Sequence, residues 1–108
     1  MKAWTKLKQI LNEGNDIIED DLKDKIFITN KITYKTFRSY LHLLTEIGFI
    51  GHWRGYFKLR LHHSFNLSYY SFNLSYFKLI RKIPKKLTII DARKMKLMPW
   101  LEWFKYLD

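Results

Sequence analysis

Basic side chains supply the most conspicuous chemistry of this sequence, and eleven of them are placed where a surface could gather them: Lys6, Lys8, Lys35, Arg38, Arg54, Lys58, Arg60, Arg81, Lys82, Lys85 and Lys86. Their spacing is loose. Loose spacing suits attraction to a phosphate backbone, which is not a point geometry, whereas reading a base edge needs Asn, Gln or Arg in fixed places. The formal charge is +10, from 20 Lys and Arg against 10 Asp and Glu. Six of the acids (Glu13, Asp16, Glu19, Asp20, Asp21, Asp24) fall between Asn12 and Lys25, while Lys25 to Pro99 carries fifteen basic residues against Glu46 and Asp91 alone. A polyanion gains free energy when such a surface displaces its counterions, so nucleic acid is the expected partner, with no membrane and no small-molecule substrate.

Other chemistries are weaker. Tyr34, Trp53 and Tyr56 flank expected turns and suit stacking on unpaired bases, a contact of about 1–3 kcal/mol each; most remaining aromatics belong to a core. His42, His52, His62 and His63 have no cysteine beside them and no HExxH spacing, which argues against a metal site. The acids Glu19 to Asp21 sit in a polar connector, and carboxylates that hold a catalytic metal need a concave frame with a second group to complete it. There is no phosphate-cradling glycine loop and no Ser or Cys nucleophile motif, so neither an enzyme nor a cofactor is expected. Without cysteine there is no disulfide.

The elements that must position these groups follow from periodicity. A chain of 108 residues makes one small domain, or a domain with a docking tail, whose core buries about two-thirds of the unfolded surface. Trp4, Leu7, Ile10 and Leu11 predict a first helix, ended at Gly14. "DIIEDDLKD" is an acidic connector with room for a short turn of helix. "KIFITN", rich in β-branched and aromatic residues, predicts a strand over Lys25 to Asn30. Thr33 predicts the N-cap of a second helix, Tyr34 to Ile47, with Phe37, Tyr40, Leu41, Leu44 and Ile47 on one face and Lys35, Arg38, Ser39, His42 and Glu46 on the other. Gly48 ends it, "FIGHW" starts a strand, and Arg54–Gly55 is a hairpin signal.

Tyr56 to His62 alternates as a half-buried strand. "SFNLSY" at Ser64 to Tyr69 recurs at Ser71 to Tyr76; the first copy is expected to lengthen a loop and the second to enter a strand, "LSYFKLIRKI", which Pro84 ends. "KKLTIIDARKMKLM" has no deciding period: a strand edge, a turn of helix and an arm on RNA all fit. Pro99 suits the first position of a helix that gathers Trp100, Trp103, Phe104 and Leu107, a tail that packs on its own domain or docks on a neighbour. The expected class is α+β: helix, strand and helix, then a small antiparallel sheet, plus an aromatic helical tail. Residues 1–88 form an RNA-binding domain and 89–108 an extension.

This order resembles the N-terminal half of small-subunit ribosomal protein eight, a bacterial and organellar family. "TKLKQ", Thr5 to Gln9, repeats the Thr-basic-aliphatic-basic-amide series of the family's first helix. "YKTFRSYLHLLTEIGFI" follows its second helix without a gap, with Lys35 on the family's lysine, Tyr34 in place of its serine, and Gly48, Phe49 and Ile50 on its terminator. "LIRKIPKK" is similar to the family's basic strand end, with a shorter turn that lacks glycine. The resemblance covers roughly residues 3 to 88; the family's C-terminal Ser-Thr-Ser-x-Gly turn has no counterpart in "TIIDARKMKLMPWLEWFKYLD". It implies a structural constituent of the small ribosomal subunit that binds the central domain of its ribosomal RNA beside neighbouring ribosomal proteins.

Phe, Tyr, Ile, Lys and Asn make 47 of the 108 residues, and Ala, Gly and Pro only eight. That AT-rich codon bias, with an N-terminus lacking a transit or signal pattern, points to a mitochondrial ribosome, and otherwise to the cytoplasm. The competing expectation is a winged-helix DNA-binding transcriptional regulator, viral or otherwise, with Tyr34 to Ile47 as recognition helix and the Arg54–Gly55 hairpin as wing. The two differ just before Thr33. A winged helix normally has a complete helix-turn-helix there, although it also places a short strand in that region; a strand at "KIFITN" directly before Thr33 favours the ribosomal order.

Overall fold

A computed structural model describes residues 2–60 and 69–106, with side chains described except at 55–60, 69–74 and 106. The first helix, α1 (Ala3–Asn12), buries Trp4, Leu7 and Leu11 along one side. It ends where Gly14 takes φ +84°, a left-handed conformation that costs glycine little. A two-residue strand, β1 (Ile17–Ile18), follows.

The expected strand over Lys25 to Asn30 is absent: Lys25, Ile26 and Phe27 close a helix, α2 (Glu19–Phe27). Glu19, Asp20 and Asp21 occupy its first turn and Lys25 its last, the charge order that complements the helix dipole. Leu22 and Ile26, one turn apart, are fully buried. Burial of that stripe outweighs the β-propensity of the Ile-Phe-Ile run, a preference that depends on context. Ile28, just past the end, is exposed.

α3 (Tyr34–Glu46) has the expected cap, the Thr36 amide donating to Thr33 Oγ1 at 3.1 Å. At its other end Gly48, at φ +83°, donates to the Thr45 carbonyl, and the Phe49 amide donates to the Leu44 carbonyl at 3.1 Å. This pair of closing bonds is the glycine-dependent helix stop.

Two long strands, β2 (Ile50–Arg60) and β3 (Tyr69–Leu79), pair antiparallel from Ile50 opposite Leu79 to Arg60 opposite Tyr69. β1 pairs with the far side of β3, Ile17 opposite Phe77, giving the order β1-β3-β2. Arg54 and Gly55 therefore form no turn; they lie mid-strand opposite Ser75 and Leu74, and the connection falls between Arg60 and Tyr69. Register follows the match of two whole strands, which outweighs one local dipeptide signal. Nearly all of the first "SFNLSY" copy lies outside the described residues, and the second runs within β3. β3 stops at Leu79 rather than at Pro84, because the Ile80 and Arg81 amides both turn onto the Phe49 carbonyl, at 2.9 and 3.1 Å.

The undecided segment is a helix, α4 (Ile89–Leu97), capped by Thr88, whose Oγ1 accepts from the Asp91 amide. Its Ala92 and Met95 are fully buried in the same core as Phe37, Leu44, Phe49 and Ile83. Residues Trp100–Tyr106 form a 3₁₀ helix. Trp103 anchors it, donating from Nε1 to the Met95 and Met98 carbonyls at 2.7 and 3.2 Å, while Leu97, Trp100, Leu101 and Phe104 are exposed. The fold is α+β. Among the described residues no helix is long and apolar enough to cross a membrane.

Candidate nucleic-acid interface

Lys35, Arg38, Ser39 and His42 recur at spacings of three and four along α3, and all are exposed. Phe37, Leu41 and Leu44 on the opposite side are buried, so the core fixes which face of α3 looks outward. Thirteen residues give a rod about 20 Å long at 1.5 Å per residue, and the diameter of an α-helix, about 10–12 Å, matches the roughly 12 Å width of a DNA major groove. α2 precedes α3 through the short segment 28–33.

One side of that face is braced. Arg38 Nη1 donates to Glu19 Oε1 at 2.9 Å, and the Tyr34 hydroxyl lies 3.4 Å from both. Lys23 and Arg38 stand 5.7 and 5.9 Å from the Tyr34 ring. The Tyr34 hydrogen bond, and then the Glu19 charge, raise the Arg38 pKa above its ordinary value. Sequence reasoning left Glu19 in a polar connector; it is instead the buried first residue of α2.

Beside the other flank of α3 lies a groove of about 770 Å³, lined by Lys2, Lys8, Lys31, Lys85 and Lys86 together with Thr5, Thr33, Thr36 and Thr88. No acid lines it. Trp4 and Tyr40 meet edge to face within it, ring centres 5.3 Å apart. The capping residues of α1, α3 and α4 (Lys2, Thr33 and Thr88) all border it, so three helix N-termini add their partial positive charge to the lysines. Such a trough attracts anions along its length. Lys2 and Lys31 were missed by sequence reasoning; a lysine two residues ahead of the Thr33 cap was the available signal for Lys31.

The eleven predicted cations fare unequally. Lys85 and Lys86 line the groove, and Lys35 and Arg38 stand on the exposed face of α3. Lys8 leaves the set: it is 4 % exposed, and its Nζ donates to the Lys85 and Leu87 carbonyls, each at 2.7 Å. Burial pulls its pKa below the usual lysine value. Trp4 Nε1 donates to the same Leu87 carbonyl at 2.9 Å, so Lys8 and Trp4 together clamp the chain that carries Lys85 and Lys86. Asn12 grips the next stretch in both directions, giving a bond to the Ile83 carbonyl and taking one from its amide, each at 2.8 Å.

Lys6 is partly buried and donates to Thr29 Oγ1 at 2.6 Å. Arg54, Arg81 and Lys82 are exposed, on β2 and just after β3. Lys58 and Arg60 lie on β2 opposite Ser71 and Tyr69, and their side chains are outside the described ones. Of the stacking candidates, Tyr34 is exposed and engaged with Glu19, Trp53 lies near parallel to Tyr76 with centres 6.0 Å apart, and the Tyr56 side chain is outside the described ones. His62 and His63 are outside the described residues; among those described, no three His, Asp or Glu side chains gather as a metal would need. No protein-family model matches the chain, and no curated protein or solved structure does.

Proposed function

We propose that this protein binds duplex DNA as a winged helix of the regulator class, with α3 in the major groove and the β2–β3 hairpin as the wing. The observation that carries this reading is α2. A helix occupies the residues just before Thr33, so the chain runs α1, β1, α2, α3, β2, β3, with the sheet ordered β1-β3-β2. Two consecutive helices followed by a hairpin is the element order of a winged helix, in which the second helix of the pair reads DNA. One ground for preferring a ribosomal component was a strand at "KIFITN", and α2 stands in that place.

Charge supports the same surface. No Asp or Glu occurs between Glu46 and Asp91, so both long strands are free of acids. The lysine groove beside α3 would hold a phosphate backbone while α3 lies against the bases, a division of labour in which phosphates position and bases specify.

Fluorescence anisotropy tests the reading with three labelled probes: a pool of randomised duplex DNA, duplexes recovered from it by repeated selection, and a structured RNA hairpin. We expect the selected duplex to bind at least tenfold more tightly than the starting pool and than the RNA. Equal binding of all duplexes together with tighter binding of the RNA would return the protein to the ribosomal reading.

A further inference from the structure

We propose that Glu19 and Tyr34 aim Arg38 as a guanine reader, so that this protein selects a G·C pair at one fixed position of its DNA site. The inference rests on the duplex-DNA reading and goes further by naming the residue, its support and the base. Arg38 is the fifth residue of α3, within the exposed row of Lys35, Ser39 and His42. Its guanidinium is held from one side by groups on two elements: Glu19 Oε1 of α2 at 2.9 Å and the Tyr34 hydroxyl of α3 at 3.4 Å. The Glu19 side chain is 11 % exposed and that of Arg38 is 45 %, so the support is buried and the arginine tip reaches solvent.

Which donors remain decides what the tip can recognise. Nη1 is committed to Glu19 and Tyr34, and among the described residues neither Nε nor Nη2 makes a hydrogen bond. Nε–H and Nη2–H form a parallel fork. In the major groove guanine offers two adjacent acceptors, N7 and O6, whereas adenine sets the N6 donor beside its N7 and cytosine presents a donor. Only guanine satisfies both arms of the fork.

A phosphate contact fits the same arginine less well. The Glu19 carboxylate offsets much of its charge, which weakens undirected attraction to a backbone and leaves directed hydrogen bonds intact. Lys35 and Lys31, which make no ion pair with a described acid, suit phosphate better. Glu19 is thus a positioning residue.

The test compares wild type, Arg38→Lys, Glu19→Gln and Tyr34→Phe on the duplex that wild type selects from a randomised pool, and on that duplex with each base pair replaced in turn. Thermal melting checks that each variant is folded; Tyr34→Phe serves if Glu19→Gln is not. In wild type, replacing one particular guanine should weaken binding about 5- to 150-fold, the usual range for a bidentate contact. Arg38→Lys should abolish that preference and leave those at other positions in place. Glu19→Gln and Tyr34→Phe should reduce it severalfold at the same position only, an effect that general loosening of the fold would not produce. Retention of every guanine preference by Arg38→Lys, or an even loss across all positions, would overturn the proposal while leaving the DNA reading intact. Failure of wild type to select any duplex would overturn both.

Discussion

Lys8 shows how far a residue's role can depart from its type. It is a cation in a basic protein, yet its ammonium is spent on two backbone carbonyls that hold Lys85 and Lys86 at the groove. Hydrogen bonds from a charged donor contribute about 1.5–3 kcal/mol each, and the freed Lys85 carbonyl can turn to water. Lys8→Met should therefore lower stability by about 2 kcal/mol in a denaturant titration. His52 carries a different liability. Its ring stacks on Phe77, centres 4.7 Å apart, and its Nε2 is buried with no hydrogen-bond partner among the described residues. Burial is the main cause lowering its pKa, with Arg54 and Arg38 acting the same way and Glu19 opposing. In the unfolded chain the imidazole takes a proton near pH 6.5; in the folded chain it does so only at lower pH. Between those values the unfolded state holds more protons, so stability falls as pH drops below about 6.5. The melting temperature should decline through that window, and His52→Phe should flatten this part of the decline.

At the scale of elements, α2 and α3 illustrate two kinds of signal. α3 was legible because its determinants are local: Thr33 caps it, Gly48 stops it, and a broad apolar stripe runs between. Thr33→Ala should cost about 1 kcal/mol, the usual value for losing a side-chain cap, measured as a lower denaturation midpoint with unchanged slope. α2 was not legible, since its nine residues bury only a narrow stripe and its C-terminal run has strand-like composition. Packing makes it a helix. Leu22→Ala, at a fully buried position, should cost about 2–5 kcal/mol, whereas Ile28→Ala, exposed beyond the helix end, should change stability by less than about 0.5 kcal/mol. Had "KIFITN" been a strand, Ile28 would share a face with Ile26 and the two would respond alike. α4 lies between these cases: Thr88 caps it, but Ala92 and Met95 alone mark its buried side, too few to reveal a period.

At the scale of the whole molecule, positive charge is gathered from several parts of the chain. The groove takes Lys2 from the start of the chain, Lys31 from the α2–α3 turn, and Lys85 and Lys86 from the segment after β3, with three helix N-termini beside them. Each phosphate neutralised on duplex DNA contributes about −0.9 to the slope of log affinity against log salt. The Lys31→Gln, Lys86→Gln double variant should thus make that slope shallower by about two, weaken all duplexes alike, and leave base preference untouched. On the proposed reading, base contact and phosphate contact then separate by experiment, since Arg38 stands on one flank of α3 and the groove on the other.

The amino-acid sequence determined what is settled within a turn or two of chain: the amphipathic α1 and α3, the Thr33 cap, the glycine stops, an α+β class and a basic stretch free of acids between Glu46 and Asp91. Only the tertiary structure decided that α2 is a helix, that β2 runs straight through Arg54 and Gly55, that Lys8 is a clamp, and that Glu19 braces Arg38. Each of the latter depends on a partner far along the chain, Lys85 and Leu87 for Lys8 and Arg38 for Glu19, and local propensities of a few tenths of a kcal/mol cannot anticipate a contact whose other half lies 19 to 79 residues away.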